Sequence, residues 1–321
     1  MRRSLAYLFA WFAGVGATVA VAARYVPVVN HAVLIVAALS PYLAIAGSLA
    51  AAALLFAYSP PIAAVALLPA VVAVALQLPL FIGSGGPAAD TVAIRVLTAN
   101  LKEGLAEPQP LADLAHDRAD VVVVQELTPE LSANLNMLKS DFPFQAVAAR
   151  PYAAGVGIWS RYPIEHFSRN TDYELGMLTA SLRVPGAASA VTVLAAHVMG
   201  PWPQPIDGWR REMALLPKTL ATLADITGSG AAIVAGDLNA TSDMAPFRRL
   251  LRDGFRSAVE QAGAGLVPTF PSGRSMPPII GIDHIITRNS SVSDVSTVYV
   301  PGSDHLGLIA TVHVRRQVNT G

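Results

Sequence analysis

The sequence predicts an α/β protein preceded by membrane helices, and three observations support that prediction. Residues 1–89 contain only three charged side chains, Arg2, Arg3 and Arg24, although the whole chain has 22 Lys and Arg and 22 Asp and Glu. From Asp90 onward, short apolar runs alternate with helical stretches, as in α/β folds. Several of these runs end in a carboxylate, an amide or a histidine. A mean hydropathy of +0.48 therefore reflects an apolar front joined to an ordinary globular part.

The apolar front predicts a membrane anchor over residues 1–82. Residues 5–23 form a stretch of 19 residues without a charge, which is long enough to cross a bilayer as a helix. Residues 26–58 form a second apolar run, in which Pro41 is a tolerated kink, and residues 62–82 form a third. We therefore predict three transmembrane helices and a multi-pass protein of the cell membrane.

The few charges of this region predict its orientation. Arg2 and Arg3 outnumber Arg24, so the amino terminus is expected inside and everything after Ile82 outside the cytoplasm. In an alternative interpretation, residues 1–23 are a cleaved signal peptide, because Ala20-Val21-Ala22 matches the small-residue cleavage pattern. Two spans would then remain, and the globular part would still be extracytoplasmic.

Residues 83–90, rich in glycine, are predicted to be a flexible linker, and residues 91–321 a single catalytic domain. Apolar and β-branched runs predict its strands, and capping residues with amphipathic spacing predict its helices. The predicted strands cover residues 92–100, 120–126, 155–160, 179–184, 190–197, 279–287 and 306–314, together with the run over residues 231–241 that contains Asp237 and Asn239. The predicted helices cover residues 110–118, 129–139, 208–225 and 242–253.

The run that ends in Gly236-Asp237-Leu238-Asn239 is the most informative of these. If it is a buried strand, Asp237 and Asn239 project from the same face at its carboxyl end, where α/β sheets usually place their chemistry. The alternative is a plain strand-to-turn junction, in which Asp and Asn make local hydrogen bonds to the backbone.

Polar residues also end the other predicted strands. They are Asn100, Glu126, His197, Asp283, and Asp304 with His305. Each alone has an ordinary explanation as a turn, a cap or a hydrogen-bonded core residue. Together, four carboxylates and two histidines at strand ends indicate a metal-assisted phosphoryl-transfer site.

The order of these motifs resembles the endonuclease/exonuclease/phosphatase superfamily, which includes DNase I-like nucleases, sphingomyelinases and inositol-phosphate phosphatases. The resemblance implies a four-layer α/β sandwich, in which two mixed sheets pack face to face with helices outside. The segments that carry it are Leu97-Thr98-Ala99-Asn100, Val123-Val124-Gln125-Glu126, Gly157-Ile158-Trp159-Ser160, Ala195-Ala196-His197, Gly236-Asp237-Leu238-Asn239, Ile282-Asp283-His284-Ile285 and Gly302-Ser303-Asp304-His305-Leu306.

The resemblance also implies roles for individual residues. Glu126 is expected to bind Mg²⁺ or Mn²⁺, with Asn100 supporting the same ion and Asp304 as a further ligand. The other roles are assigned as follows: Asp237 orients or deprotonates the attacking water, Asn239 and His197 contact the phosphate, and His305 contacts it with Asp283 as its carboxylate partner. His284, next to Asp283 on a strand, should point away and be structural.

The expected substrate is a membrane-borne phosphate. Residues 91–321 carry 19 Lys and Arg against 21 Asp and Glu, without the basic stripe that nucleic-acid binding requires. Lys102 stands where many nuclease members carry a carboxylate, and a tether concentrates the site on lipids. The layout is similar to a membrane-anchored actinobacterial branch associated with teicoplanin resistance.

Two other functions remain open. An extracytoplasmic nuclease is the alternative enzyme, and a receptor that kept the fold without the chemistry is the third class. The absence of cysteine excludes a thiolate nucleophile and a cysteine-based metal site.

Overall fold

The computed structural model describes residues 1–86, 89–273 and 276–318. They divide into two compact units. One consists of Met1–Pro79 with Thr241–Arg248, and the other of Leu80–Ala240 with Arg249–Gly321. The boundaries expected at residues 82 and 90 stay predictions, and residues 87–88 of the expected linker lie outside the described part.

The first unit is helical, and its long helices are apolar enough to cross a membrane. Among the described residues, Arg2–Ala23 and Pro60–Gln77 each meet that criterion, and a pair of helices bent by 76° adds a third span if it counts as one. Pro41 lies just after the bend, where the sequence predicts a kink. The helices are α1 Arg2–Ala23, α2 His31–Ala38, α3 Ser40–Phe56, α4 Pro60–Ala66, α5 Leu68–Gln77 and the short α6 Pro79–Ile82.

Small residues allow α1 and α3 to pack closely. Ala10 and Ala51 belong to one buried cluster of this unit, and a Cβ on Gly47 would lie 2.9 Å from the carbonyl oxygen of Ala13. Helices in lipid associate through such small-residue contacts, because the bilayer provides little hydrophobic driving force.

The segment Thr241–Arg248 belongs to the helical unit through polar contacts. Asp243 forms a buried ion pair with Arg24 and accepts a hydrogen bond from Gln77 Nε2 at 2.9 Å. The helix expected over residues 242–253 was therefore wrong in extent, since only α10, Ala245–Arg248, forms. Arg248 donates its guanidinium to the carbonyl groups of Ser242 and Asp243, which a longer helix would use for its own ladder.

The second unit contains two six-stranded mixed sheets. The first has the order β11-β12-β1-β2-β4-β3 and the second β5-β6-β7-β8-β10-β9, with β1 parallel to β2 and β7 parallel to β8. The strands are β1 Thr91–Asn100, β2 Val121–Gln125, β3 Phe144–Ala148, β4 Val156–Ser160, β5 Ile164–Arg169, β6 Met177–Leu182, β7 Val191–His197, β8 Ala232–Asp237, β9 Arg256–Ser257, β10 Asp283–Arg288, β11 Ser290–Tyr299 and β12 Leu306–Arg315.

The two sheets pack face to face over one apolar core. Ile94 and Val123 of the first sheet and Val193 and Ile233 of the second belong to the same buried cluster. Helices cover the outer faces, as expected for a DNase I-like four-layer sandwich, which confirms the predicted fold class. These helices are α7 Pro108–Arg118, α8 Pro129–Asn134 with a 3₁₀ turn over Leu135–Ser140, and α9 Ile206–Thr227, whereas α11 Ala258–Ala262 packs against the core between the sheets.

The sequence prediction missed β3, β5, β9 and β11, and it placed the start of β10 too early. β11 was not predicted, because a register shift between Val292 and Asp294 breaks its apolar alternation. β10 begins at Asp283 rather than at residue 279, because Ile280 bonds instead to Phe270.

Strand pairing brings several predicted site residues to one end of the second sheet. Asp237 lies opposite Asp283 on β10 and beside His197 on β7. Gly236 permits this close pairing: its φ is +149°, and a Cβ there would lie 1.8 Å from the carbonyl oxygen of Ala196.

Candidate functional site

The ends of both sheets meet at a cluster of polar side chains. Asn100 joins the sheets: its Nδ2 donates to Glu126 Oε1 at 2.9 Å, beside its own strand, and to Asp237 Oδ2 at 3.1 Å on the opposite sheet. Asn100 and Asp237 are each 1% exposed. The other members of the cluster are His197, Asn239, Asp283 and His305.

Backbone conformation after β1 and β2 holds Glu126 in place. Glu126, Lys102 and Glu103 all have positive φ, between 48° and 56°, which costs conformational energy for residues other than glycine. The backbone N–H of Glu103 donates to Glu126 Oε2 at 2.6 Å, and that of Lys102 donates to Asn100 Oδ1 at 2.9 Å. Such strained segments are typical of functional sites.

The Asp237–Asn239 segment combines the two interpretations that the sequence left open. β8 ends at Asp237, and Asn239 has a left-handed backbone with φ 49°, so it does not lie on the strand as predicted. Its backbone N–H donates to Asp237 Oδ1 at 2.8 Å, which is a local turn. The Asn239 amide still lies 3.4 Å from Asp237 Oδ2, and it donates to the carbonyl of Val198 at 3.0 Å. The turn therefore keeps both side chains in the site.

His305 and Asp283 form the expected pair, with 2.8 Å between Nδ1 and Oδ2. Burial opposes the charge on His305, but the adjacent Asp283 and Asp237 outweigh it and raise the pKa of the imidazole to about 10. Burial alone would raise the pKa of Asp283, yet His305 and Thr269 hold it below its ordinary value. At neutral pH the pair is therefore an imidazolium and a carboxylate.

Asp237 is the carboxyl group most strongly perturbed toward neutrality. Burial, followed by the charge of Asp283, raises its pKa to about 7, against the opposing effects of His305, Asn239 and Asn100. His305 Nε2 lies 3.9 Å from Asp237 Oδ2. A carboxyl group that titrates near neutral pH is suited to exchange a proton with water.

His197 faces both carboxylates of the cluster. Burial lowers its pKa, and its Nδ1 is 3.0 Å from the carbonyl oxygen of Ala153, to which a neutral ring donates. Nε2 then carries the lone pair and points toward Glu126 at 3.8 Å and Asp237 at 3.9 Å. A phosphate contact from His197, as predicted, requires a proton on Nε2.

His284 and Asp304 occupy positions at the edge of this arrangement. His284 is buried, its pKa is lowered by burial to about 4, and its Nε2 bonds to the carbonyl of Ala240 at 2.7 Å. The Asp304 carboxylate is 40% exposed and lies 4.0 Å from Lys102 Nζ.

The donor set suits a hard divalent cation. Among the described residues, Asp237, Asp283 and His305 lie with their ligand atoms within 4.8 Å of one another, and the two carboxylates are the groups of this set that can ligate a cation while His305 is protonated. Asp283 Oδ1 is buried without a hydrogen-bond partner, and Glu126 adds a third carboxylate nearby. Carboxylate oxygens are preferred by Mg²⁺ and Mn²⁺.

Sequence reasoning missed several residues that support the site. Ser303 Oγ donates to the carbonyl of Asn100 at 2.7 Å and accepts from the backbone N–H of His305 at 3.0 Å. It lies inside a motif that the sequence singles out, whereas Thr269, which accepts the N–H of Asp283 at 3.3 Å, carries no sequence signal.

Solved structures share this fold. Truncated TDP2 of Caenorhabditis elegans has a TM-score of 0.56 at 13% identity, covering 68% of this chain and 97% of its own. An endonuclease/exonuclease/phosphatase from Bacteroides vulgatus has a TM-score of 0.56 at 17% identity, covering 70% and 100%. The 3′ phosphatase NExo from Neisseria, bound to a product DNA hairpin, has a TM-score of 0.54 at 19% identity, covering 68% and 98%.

No curated protein matches the chain in sequence. A family model does match: the model of the endonuclease/exonuclease/phosphatase family aligns with residues 97–305, which is more than half of the chain and spans every motif from β1 to His305. This chain belongs to the endonuclease/exonuclease/phosphatase family.

Proposed function

We propose that this chain is a membrane-tethered, Mg²⁺- or Mn²⁺-dependent hydrolase that cleaves a lipid-linked phosphate ester or pyrophosphate outside the cytoplasm. Family membership supports a hydrolase acting on phosphate esters. The observation that carries the proposal is the contact of Asn100 with both Glu126 and Asp237, next to the His305–Asp283 pair. This geometry combines a metal-binding carboxylate, a carboxyl group that titrates near neutrality and a fixed cation in one buried cluster.

Glu126 and Asn100 would hold the metal ion, with Asp304 as a further candidate ligand. When bound, the ion would neutralise charge on the phosphate oxygens, which otherwise repel a nucleophile. Asn100 Oδ1 accepts the N–H of Lys102, so its amide group is oriented before substrate binds. The oxygens of Glu126 are likewise fixed by Asn100 and by the backbone of Glu103.

Asp237 is the proposed base for the attacking water. Its Oδ1 accepts the N–H of Asn239, and its Oδ2 accepts the amide of Asn100, so the carboxylate cannot rotate freely. The imidazolium of His305 carries a positive charge beside the reacting phosphate, and Asp283 fixes its orientation. Asn239 would donate its amide to a phosphoryl oxygen.

Three features favour a lipid-borne substrate. The near-neutral charge of residues 91–321 provides little attraction for a polyanion, and Lys102 adds a cation beside Asp304. Of the two tryptophans that follow β7, Trp209 is fully buried in α9, whereas Trp202 is 66% exposed. Trp209 therefore packs in the interior, and Trp202 is suited to a lipid interface.

A nuclease is the second candidate function. One observation favours it: the NExo structure from Neisseria, which shares this fold, is bound to a product DNA hairpin. A comparison of substrates distinguishes the two candidates.

The full-length protein is expected to prefer a detergent-solubilised isoprenoid or diacylglycerol phosphate or pyrophosphate over duplex DNA. The expectation follows from the absence of an excess of positive charge, because DNA binding depends on neutralising phosphates. The measurement is the ratio of the two kcat/KM values at about 0.15 M salt, where weak long-range attraction is screened. A ratio in favour of DNA would establish the nuclease instead.

Glu126→Gln is expected to abolish metal-dependent turnover without unfolding, because it removes the charge of the main proposed ligand while keeping its size. EDTA should have the same effect on the native protein, and added Mg²⁺ or Mn²⁺ should restore activity. Glu103→Gln, which alters an exposed carboxylate in the same loop, serves as the control and should retain activity. Full activity in EDTA would contradict metal dependence.

Asp237→Asn and His305→Gln are each expected to lower kcat by about 10², which is the usual effect of losing a positioned base or a charge-stabilising group. His284→Gln should leave kcat within about twofold, because the Nε2 of His284 is committed to the backbone carbonyl of Ala240. Steady-state kinetics of the three variants, with circular dichroism to verify folding, provide the measurement. Equal losses for His284 and His305 would show that His284 acts in catalysis.

The absence of cysteine allows a direct test of sidedness. Ser189→Cys places a single thiol on an exposed turn of the globular unit. A membrane-impermeant maleimide is expected to label this thiol in intact cells as completely as in permeabilised cells. Labelling that requires permeabilisation would place the globular part in the cytoplasm.

A further inference from the structure

Glu212 is a fully buried carboxylate that the proposed mechanism does not use. It lies in the first half of α9, with 0% exposure, although the neighbouring Arg210 and Arg211 are exposed. Its Oε1 accepts the backbone N–H of Glu174 at 2.7 Å, and its Oε2 accepts that of Met199 at 2.8 Å. A buried charge is tolerated only when it is hydrogen-bonded, and here two backbone amides supply those bonds.

The two amides belong to separate segments that flank the candidate site. Glu174 lies between β5 and β6, and Met199 lies in the loop after β7. The first segment leads to Gly176, whose carbonyl accepts the N–H of His197 at 2.9 Å. Glu212 therefore binds two segments that flank His197: the one that leads to Gly176, which accepts the N–H of His197, and the one that follows His197 in the chain.

Met199 directly follows Val198, whose backbone contacts Asn239. The carbonyl of Val198 accepts the side-chain amide of Asn239 at 3.0 Å, and the N–H of Val198 donates to the carbonyl of Asp237 at 3.0 Å. A displacement of Met199 would move the Val198 carbonyl, and with it the acceptor that orients the Asn239 amide. The contacts form a continuous path from Glu212 to Asn239.

We propose that Glu212 is a positioning residue that ties the two segments together and, through Val198, orients Asn239 toward the reacting phosphate. This inference rests on the proposed function, because it assigns Asn239 a contact in the reaction. An apolar side chain at this position of α9 could also be buried, but it would leave the N–H groups of Glu174 and Met199 without acceptors. A carboxylate is the group that can accept from two separate amides at once.

The electrostatics of Glu212 agree with this role. Burial raises its pKa, while the hydrogen bonds from Met199 and Glu174 act in the opposite direction. The nearby Arg211 pairs with the side chain of Glu174, so Glu174 is held through both its backbone and its carboxylate.

The test is a double-mutant cycle between Glu212→Gln and Asn239→Ala. Glutamine keeps the size of the side chain but offers only one acceptor oxygen, so one of the two amides loses its partner. Glu212→Gln is expected to lower kcat about tenfold with KM within about twofold, using bis-(4-nitrophenyl) phosphate and the solubilised lipid phosphate as substrates. In the Asn239→Ala background the same change should lower kcat less than twofold, because the group it orients is gone.

A purely structural role gives a different result. If Glu212→Gln lowers kcat by the same factor in both backgrounds, Glu212 does not act through Asn239 and the proposal is overturned. Leu220→Ala serves as the matched control, since Leu220 is buried on the same helix and its truncation destabilises the core without altering either loop. Any decrease in kcat caused by Leu220→Ala should be the same factor in the wild-type background and in the Asn239→Ala background. If Glu212→Gln does not fold, Glu212→Asp, which keeps the charge on a shorter side chain, enters the same cycle with the same criterion.

Hydrogen exchange separates this proposal from the proposed function. In Glu212→Gln, exchange at the amide of Glu174 or of Met199 should accelerate, and in Leu220→Ala the two amides should follow the global stability. Unchanged exchange rates at both amides would show that Glu212 does not hold these two segments, and would overturn the proposal. If the wild-type protein hydrolyses no phosphoester, the proposed function fails, and the exchange measurement still decides whether Glu212 ties the segments.

Discussion

The hydrogen bonds of the Asn100 side chain are the interaction on which the candidate site depends. Its amide nitrogen contacts Glu126 at 2.9 Å and Asp237 at 3.1 Å, and these residues follow strands of different sheets. Without a donor between them, two carboxylates would face each other in a buried space and repel. Asn100 therefore donates to both carboxylates and reduces their repulsion where the two sheets meet. Ser303 Oγ in turn donates to the backbone carbonyl of Asn100.

The second sheet's part of the site contains two buried carboxyl groups and one buried imidazolium. Asp237 and Asp283 lie opposite each other on adjacent strands, and one imidazolium, that of His305, lies against both. Burial first, and then the charge of Asp283, raise the pKa of Asp237 to about 7, and Asp283 Oδ1 is buried without a hydrogen-bond partner among the described residues. A divalent cation held by the neighbouring Glu126 and Asn100 would offset part of this negative charge, which is the physical reason for the proposed metal dependence.

The apolar helices and the charge of the globular unit both support the proposed lipid-borne substrate. At least two helices are long and apolar enough to cross a bilayer, and residues 91–321 carry no excess of positive charge. An enzyme tethered near lipid obtains its substrate at high effective concentration, so it does not need the cationic surface that a freely diffusing nuclease requires.

The sequence by itself determined the fold class, the apolar amino-terminal helices and which residue types lie at strand ends, because hydrophobic periodicity and the motif order are local properties of the chain. It did not predict β3, β5, β9 or β11, the last of which has a bulge that hides the alternation, or the true extent of the helix after Asp243. Only the tertiary structure decided that Asn239 leaves the strand with a left-handed backbone, and that Thr269 and Glu212 support the site. Thr269 and Glu212 lie 14 and 13 residues from the backbone groups that they bind, in other elements of the fold, so these hydrogen bonds form only when those elements have packed together.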